Sequence, residues 1–249
     1  LWNDPKRPRI IEWRPGDSGL SIDGVALWPG ALFLRYDVFS WLGKDVDGLV
    51  RDAASAWYET VLGWALANPS VRMFNRRSKG NSSKPANLQL AVACGLAIPE
   101  SKISNAIAGL NPEEWVIKPV AGGAHTQPMP SGEQLVMPMI IQRRLHYPEC
   151  RLFRVGDELF AFRLESKSLD HRDDAGVDLQ PMAVPPELAQ PMLQLAEELG
   201  LDYAAADFKT CPKSGRWLFL EMNTMPMYAA FDKAAGGKLV AAMLRWLCR

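Results

Sequence analysis

Apolar residues recur at intervals of three and four in four parts of the chain, and this spacing predicts four helices. The predicted helices cover residues 47–67, 85–95, 185–200 and the C-terminal segment from about residue 237. Proline in a first turn and glycine after a last turn favour these helix ends, as with Pro85 and Gly95.

Short runs rich in β-branched and aromatic residues predict strands between these helices. The runs cover residues 9–13, 19–24, 31–36, 115–118, 139–142, 151–155, 158–164, 202–208 and 216–221. Asp23-Gly24 and Gly156-Asp157 have the composition of tight turns between paired strands. The combination of helices with a mostly antiparallel sheet predicts an α+β fold.

Composition and charge exclude several classes of protein. The chain has 249 residues, of which 48% are hydrophobic and 22% charged, so we expect a globular protein rather than a disordered one. The 28 basic and 28 acidic residues cancel, which argues against a nucleic-acid partner. No apolar run is long enough to cross a bilayer, so no membrane partner is expected. Four scattered cysteines without metal-ligand spacing favour a reduced, cytoplasmic environment.

A set of oxygen ligands is expected at the last predicted hairpin. Residue 214 lies midway between Asp207 and Glu221 in a predicted turn, so a tight hairpin places the two carboxylates opposite each other. Asn223 lies two positions beyond Glu221 and shares its face of the strand. Opposed carboxylates are favourable when a cation lies between them, and an all-oxygen set suits Mg²⁺. A solvated hairpin end without an ion is the alternative.

Two lysines could supply phosphate contacts beside such an ion. Lys118 ends a predicted strand before the glycine-rich stretch 121–132, which would be a mobile cover over phosphates. That stretch lacks P-loop spacing, so the motif is weak on its own. Lys84 lies just before a predicted helix, whose N-terminal end attracts anions. The alternatives are an ordinary loop for the glycine-rich stretch after Lys118 and a surface lysine for Lys84.

The segment between Glu59 and Glu100 contains no acidic residue, although it includes Arg72, Arg76 and Arg77. This asymmetry predicts a local positive surface on a neutral protein. The surface is either a solvated face or a site that attracts an acidic substrate.

Taken in chain order, these candidates resemble the ATP-grasp superfamily, in particular its RimK-type ligases and its graspetide, or microviridin-type, peptide ligases. The resemblance extends from about residue 31 to the C-terminus. It implies an ATP-grasp fold, in which two α+β subdomains clasp ATP, with a short or truncated N-terminal pre-ATP-grasp domain. The implied division is residues 1–80 for that N-terminal region, 81–249 for the ATP-grasp domain, and about 115–145 for its mobile central part.

The resemblance also implies roles for individual residues, with ATP and Mg²⁺ as cofactors. Lys84 and Lys118 would bind the ATP phosphates, and Asp207, Glu221 and Asn223 would hold Mg²⁺. The backbone after Gln142, at Arg143, Arg144 and Leu145, would meet the adenine. Arg151 belongs to an E-x-R motif with Glu149 and would face the reacting phosphoryl group, which makes Arg151 and Lys118 the implied catalytic residues.

The implied reaction joins a carboxylate to an amine or hydroxyl through an acyl phosphate, on a peptide or amino-acid-like substrate. Arg143 departs from the Gln-Glu hinge that is usual in the family, so the adenine contacts are the least conventional part of the pattern. Two alternatives stay open, namely an ATP-grasp phosphotransferase and a non-catalytic nucleotide-binding module. A homodimer is also compatible with the resemblance.

Overall fold

The computed structural model describes residues 9–35, 48–79, 83–121, 125–169 and 176–249. The chain divides into two compact units. The first consists of Leu1–Arg76 together with Met243–Arg249, and the second consists of Arg77–Ala242. Within the described residues, no helix combines the length and the apolar character that crossing a bilayer requires.

The first unit contains two small sheets and one long helix. Its elements are β1 (Ile11–Glu12), β2 (Leu20–Ile22), β3 (Val25–Leu27), β4 (Ala31–Leu32), α1 (Gly48–Ala67) and β5 (Arg72–Met73). Strands β1, β2 and β3 are antiparallel, whereas β4 and β5 pair in parallel. The predicted turn at Asp23-Gly24 is confirmed, since both residues have positive φ angles, of 51° and 76°.

The predicted helical spacing of α1 is confirmed by its buried face, which includes Val61, Trp64 and Ala65. The indole nitrogen of Trp64 donates to the carbonyl oxygen of Ser18 at 3.1 Å, so the buried ring keeps a hydrogen bond. The predicted strand 31–36 is shorter than expected, because β4 ends at Leu32. Residue 36 and the predicted helix start at 47 lie outside the described residues.

The second unit contains the remaining strands and the helices α2 to α4. Its elements are α2 (Lys84–Ala93), β6 (Ser101–Ala106), β7 (Trp115–Pro119), β8 (Gln127–Pro128), β9 (Gln134–Arg143), β10 (His146–Val155), β11 (Glu158–Glu165), β12 (Asp178–Met182), α3 (Pro186–Glu198), β13 (Tyr203–Thr210), β14 (Trp217–Asn223) and α4 (Ala229–Ala234). The last helix, α5 (Lys238–Leu247), begins in the second unit, and its residues from Met243 onward belong to the first. The sequence did not predict β6, β8, β12 or α4, which lack a clear apolar period.

Two antiparallel sheets organise the second unit. One has four strands in the order β6-β9-β7-β8, and the other has five in the order β12-β11-β10-β13-β14. The chain passes from the first sheet to the second through Arg144 and Leu145, between β9 and β10. The α+β prediction is confirmed, and so is the tight turn at Gly156-Asp157, because Val155 pairs with Glu158.

Alternation along β10 and β13 gives the five-stranded sheet an apolar face and a polar face. Cys150, Leu152, Ala206 and Phe208 lie in a core cluster with residues of helices α2 and α3. Successive strand residues point to opposite faces, so the intervening residues lie on the other face. Those intervening residues are Glu149, Arg151, Asp207 and Lys209. The fold therefore places two acids and two bases together on the face opposite helices α2 and α3.

Candidate active site

The predicted pairing of Asp207 with Glu221 is confirmed, because the two residues are Cα partners in the β13–β14 ladder. The route to this register differs from the expectation. Thr210 pairs with Trp217, so the turn is centred between residues 213 and 214 rather than on 214. An irregularity between the Asp207 and Phe208 pairs leaves Leu220 as an extra residue on β14. That bulge restores the alignment of the two carboxylates.

Asp207 is the most enclosed acid of the hairpin, and it accepts three hydrogen bonds. Arg151 donates to it from Nε at 2.7 Å and from Nη2 at 2.8 Å. The amide nitrogen of Asn223 donates to Oδ2 of Asp207 at 3.0 Å. Burial raises the pKa of the Asp207 carboxyl, whereas the neighbouring Arg151 opposes that shift. The predicted convergence of Asn223 with the two acids is thus observed.

Arg151 is held in this position from two sides. It is the direct cross-strand partner of Asp207, and its guanidinium carbon lies 5.2 Å from the centre of the Phe231 ring on α4. Burial lowers the pKa of Arg151, but the carboxylates of Asp207, Glu149 and Glu221 together more than offset this, so the pKa lies above its ordinary value. Phe231 was missed by sequence reasoning because α4 is short and no pattern predicted it.

Lys84 and Lys118 approach the same hairpin through Glu221. Lys84 is the first residue of α2, and its Nζ lies 3.8 Å from Oε2 of Glu221. Burial lowers the pKa of Lys118 on β7 below its ordinary value, and the charge of Glu221 offsets part of this shift. Helix α2 begins at Lys84, which is one residue earlier than the sequence predicted. The two lysines and the hairpin acids form one electrostatic cluster.

The residues after Gln142 form the link between the two sheets. The Gln142 side chain is buried and donates to the Ser101 hydroxyl at 3.0 Å. The backbone N–H of Arg143 donates to the Glu100 carbonyl at 2.9 Å, and that of Arg144 donates to the Glu114 carbonyl at 2.8 Å. The N–H groups of Arg143 and Arg144 are thus used within the protein. The N–H of Leu145, the next linker residue, takes no part in these two bonds.

Arg143, the residue that departs from the family pattern, has a structural set of partners. Its Nε lies 3.0 Å from the Glu100 carboxylate, and its Nη1 pairs with the Glu114 carboxylate. Its guanidinium carbon lies 4.5 Å from the centre of the Trp115 ring. The Glu100 and Glu114 hydrogen bonds raise the pKa of Arg143 further. The guanidinium therefore ties β9 to the starts of β6 and β7.

Two cavities border the linker and share Arg143 and Leu145. The smaller has a volume of about 30 Å³ and is also lined by Lys118, Gln142, Leu169, Lys209 and Leu220. The larger has a volume of about 420 Å³, and its lining includes Glu100, Arg144, Cys211 and Lys213. Only the smaller cavity contains one of the lysines predicted to bind phosphate.

The basic surface predicted from Arg72, Arg76 and Arg77 is largely occupied by structural contacts. Arg76 donates to the carbonyl oxygens of Ala65 at 2.8 Å and Asn68 at 3.2 Å, at the end of α1. Arg72 donates to the carbonyl oxygen of Trp246 at 2.9 Å. Arg77 lies 3.8 Å from Glu197. These contacts favour the structural alternative over the capture of an acidic substrate.

Lys209 is a further member of the polar face that sequence reasoning missed. It is the cross-strand partner of Glu149 and lies 3.5 Å from its carboxylate. The available signal was its position two residues after Asp207, which mirrors the E-x-R spacing of Glu149 and Arg151. Each acid of one strand therefore faces a base of the other.

The oxygen atoms of Asp207, Glu221 and Asn223 are the candidate ligands for a magnesium ion. Within the residues that the structure describes, no group of three or more His, Cys, Asp or Glu side chains could hold a metal. The predicted trio has two carboxylates and one amide, so it includes only two side chains of those four types. An ionised carboxylate offers about four lone-pair positions. Asp207 uses three of them in the bonds given above, and Glu221 has one lysine contact, so oxygen atoms remain for a hard cation.

Comparisons with known proteins give no match in sequence but clear matches in structure. No protein-family model matches the chain, and no curated protein matches it. The ATP-grasp ligase PsnB, complexed with a phosphomimetic variant of minimal precursor, Mg and ADP, is 22% identical. Its TM-score is 0.73, with coverage of 98% of this chain and 88% of that chain.

Two further ligases give the same result. The macrocyclase MdnC of Microcystis aeruginosa MRC, bound with precursor peptide MdnA, is 21% identical, with a TM-score of 0.68 and coverage of 96% and 87% of the two chains. A RiPP-associated ATP-grasp ligase of Chryseobacterium gregarium, in complex with ADP and a leader and core peptide, is 17% identical, with a TM-score of 0.67 and coverage of 97% and 84%. The chain therefore has the ATP-grasp fold, as the order of its lysine, carboxylate and amide residues predicts.

Proposed function

We propose that this chain is an ATP- and Mg²⁺-dependent ligase that joins a carboxylate to an amine or a hydroxyl. The observation that carries the proposal is the convergence of Asp207, Glu221 and Asn223 on one hairpin, with the Lys84 ammonium 3.8 Å from Glu221. Two lysines beside two acids and an amide match the needs of a magnesium-bound polyphosphate, in which positive and negative charges alternate.

The metal ligands in this proposal are Asp207, Glu221 and Asn223. The amide of Asn223 donates through its nitrogen to Asp207, so its oxygen is the atom available for a cation. Bound magnesium would neutralise the charge that develops on the phosphate oxygens. Lys84 and Lys118 would contact the phosphates. Lys118 is suited to this role because burial disfavours its charged form, and a bound phosphate would stabilise that charge.

The base would bind at the smaller cavity, next to the linker. Lys118 lines that cavity together with Gln142 and Leu145, so a base there lies within reach of phosphates held by the same lysine. Apolar walls at Val116, Leu169 and Leu220 suit an aromatic base. We propose the N–H of Leu145 as a donor to the base, with the backbone of Gln142, Arg143 and Arg144 shaping the linker around it.

The chemical step would be activation of a carboxylate. The carboxylate attacks the γ-phosphate and forms an acyl phosphate and ADP, and an amine or hydroxyl then attacks the acyl carbon and releases phosphate. Arg151 and Lys118 are the proposed catalytic residues, since phosphoryl transfer depends mainly on positioning and charge neutralisation. Arg151 can serve this role only if it exchanges at least one of its two Asp207 bonds for a substrate oxygen.

The substrate proposed is a peptide with acidic side chains. The similar ligases PsnB and MdnC are described with precursor peptides, which supports this class of substrate. We further propose that residues 81–249 are the ATP-grasp domain, with about 115–145 as its mobile central part and 1–80 as a short N-terminal region. All four cysteines are free, which is compatible with the proposed cytoplasmic location. We also propose that the protein forms a homodimer.

Binding of MgADP tests the nucleotide and metal assignments together. We expect micromolar binding to the wild type by calorimetry, and at least tenfold weaker binding to Glu221→Gln. Removing magnesium with EDTA should remove most of that difference, because the proposed role of Glu221 is to bind the metal. Glu165→Gln, at an exposed ion pair on β11, is the matched control and should bind as the wild type does. A wild type that fails to bind MgADP, or equal affinity in Glu221→Gln, would overturn the proposal.

Hydroxylamine trapping separates the three possible activities. The protein is incubated with MgATP, hydroxylamine and a synthetic peptide containing Asp and Glu side chains. A ligase converts the activated carboxylate to a hydroxamate, which mass spectrometry detects as a mass increase on the peptide. A phosphotransferase instead yields a stable phosphate ester on a hydroxyl-containing peptide. A nucleotide-binding module yields no ADP with either peptide.

A further inference from the structure

Two ion pairs lie side by side on the face of the five-stranded sheet that is opposite helices α2 and α3. Glu149 of β10 is opposite Lys209 of β13, and Arg151 is opposite Asp207 in the same ladder. Because the strands are antiparallel, the acid-x-base order of each strand brings every acid against a base. Arg151 and Asp207 belong to the reaction proposed above. That function leaves Lys209 without a role.

The Lys209 side chain is only 9% exposed and has three partners. Its Nζ donates to the backbone carbonyl of Leu169 at 2.9 Å and lies 3.5 Å from Oε2 of Glu149. It also lies 4.1 Å from the centre of the Tyr147 ring. A buried ammonium group is costly unless its charge and its donors are satisfied, and these partners satisfy them. The side chain is therefore fixed rather than free to follow a ligand.

The bond to Leu169 links the sheet to a segment that belongs to no strand. Leu169 follows the end of β11 at Glu165, and its backbone is attached to β13 through Lys209. Leu169, Lys209 and Leu220 all line the smaller cavity. Leu220 is the bulge residue of β14, whereas Leu169 lies outside the strands and its carbonyl accepts a hydrogen bond from the Lys209 side chain.

The volume of this cavity is about 30 Å³, which is room for about two water molecules. A nucleotide base can enter only if part of the wall moves outward. Strands supply Val116 and Lys209, which their ladders hold in place, and Leu220, which is the bulge residue of β14. Leu169 is a wall residue that can move without breaking a ladder, and its link to Lys209 limits how far it moves.

We propose that Lys209 is a positioning residue for the nucleotide base, and this inference rests on the function proposed above. It keeps the backbone of Leu169 attached to β13, so that the Leu169 side chain packs against a bound base. Lys209 does not contact the phosphates or the reacting carboxylate. Its loss should therefore weaken ligands that carry a base more than ligands that consist of phosphates alone.

The test compares two probes that differ in the base, MgADP and magnesium tripolyphosphate. Lys209→Met should raise the Kd for MgADP by about tenfold, the effect of losing one charged hydrogen bond. The Kd for tripolyphosphate should stay within about twofold of the wild type. Lys118→Met is the contrasting variant and should weaken both probes, because Lys118 is proposed to bind phosphate.

A double-mutant cycle identifies the route by which Lys209 acts. Leu169→Ala removes the wall side chain and should also weaken MgADP by about tenfold without affecting tripolyphosphate. If Lys209 acts through Leu169, the double variant should have a Kd for MgADP no higher than that of the weaker-binding single variant. Additive losses of affinity in the double variant would overturn the inference. Recovery of wild-type affinity in Lys209→Met/Glu149→Gln would also overturn it, because Lys209 would then serve only to neutralise Glu149.

The controls keep this outcome separate from the proposed function. If Lys209→Met does not fold, Leu169→Ala still decides, since Leu169 is only partly buried and unchanged MgADP affinity would contradict the inference. A wild type that does not bind MgADP overturns both proposals. A wild type that binds MgADP alongside variants of equal affinity overturns only the role of Lys209.

Discussion

Arg151 and Asp207 are partners across β10 and β13, and two hydrogen bonds of 2.7 and 2.8 Å join the guanidinium to the carboxylate. The side chains are 12% and 7% exposed, so the pair is shielded from water. A proposed catalytic cation thus neutralises a proposed metal ligand. Either residue alone would be a buried charge without its principal partner, which makes the pair important for stability as well as for chemistry.

Arg151→Met should therefore destabilise the fold markedly. Removing one member of a buried pair typically costs about 3–5 kcal/mol, and thermal unfolding should show the loss as a lowered Tm. Arg77→Met is the matched control, because its 77% exposed side chain lies 3.8 Å from Glu197 and such pairs contribute about 0–1 kcal/mol.

Adding Asp207→Asn to Arg151→Met should recover part of the lost stability, since the second change removes the uncompensated carboxylate. Equal Tm values for Arg151→Met and Arg77→Met would contradict the importance of the buried pair. The same argument makes Asp207→Ala a poor probe of metal binding, because it leaves Arg151 buried with fewer partners.

Lys118→Met should raise the stability of the ligand-free protein while it weakens phosphate binding. Burial lowers the pKa of Lys118, so the folded state disfavours its charged form. An apolar side chain of similar length relieves this cost, and we expect Tm to rise by about 2–4 °C, which corresponds to about 1 kcal/mol. Lys102→Met, at an exposed position of β6, is the control and should change Tm little.

The pH dependence of this effect has a definite sign. The cost of charged Lys118 is fully present below its lowered folded-state pKa and disappears as pH rises toward the ordinary value of 10.5. The difference in Tm between Lys118→Met and the wild type should therefore shrink as pH is raised above neutrality. A difference that grows with pH would show that the lysine charge stabilises the fold.

Much of the site was predictable because β-strand alternation is local. Asp207 and Glu221 were expected to pair from their distances to the turn, and Asn223 was expected beside them from a spacing of two. The reason they pair was not predictable, since the turn centre is shifted and the extra residue Leu220 compensates. A bulge depends on packing between strands, and no single-strand pattern reports it.

Contacts between distant segments account for what the sequence could not provide. Arg143 was interpreted through its place in the linker, but its function in the fold depends on Glu100 and Glu114, which are remote in sequence. Lys209 was not singled out because its partner Glu149 is on another strand. Phe231 beside Arg151 depends on a short helix with no amphipathic pattern of its own.

Arg143→Met should reduce stability modestly without affecting nucleotide binding. Its ion pairs with Glu100 and Glu114 are partly exposed and screened by water, so they and its position over Trp115 should contribute only modestly to stability. Because these contacts direct the guanidinium to Glu100 and Glu114, the Kd for MgADP should stay within about twofold of the wild type. Arg144→Met, at the exposed neighbouring position, should leave both Tm and Kd unchanged. Loss of MgADP binding in Arg143→Met would instead assign the guanidinium to the base site.

Gly200 and Gly215 provide a matched test of how tightly α3 and the segment around Arg77 pack. Both have positive φ angles, of 70° and 67°, so an alanine at either position adopts the same disfavoured left-handed conformation. A Cβ on Gly215 meets no atom, whereas a Cβ on Gly200 overlaps the backbone carbonyl of Arg77. That carbonyl belongs to the backbone and cannot move aside as a flexible side chain can.

Gly215→Ala should cost about 1–2 kcal/mol, the usual penalty of a left-handed alanine. Gly200→Ala should cost a further 1–3 kcal/mol or so from the overlap, which thermal unfolding would resolve as a lower Tm. The backbone N–H of Lys79, which donates to the Leu199 carbonyl at 3.4 Å, should exchange with solvent faster in Gly200→Ala than in Gly215→Ala. Equal Tm values and equal exchange in the two variants would mean that residues 77–79 do not pack against the end of α3 in solution.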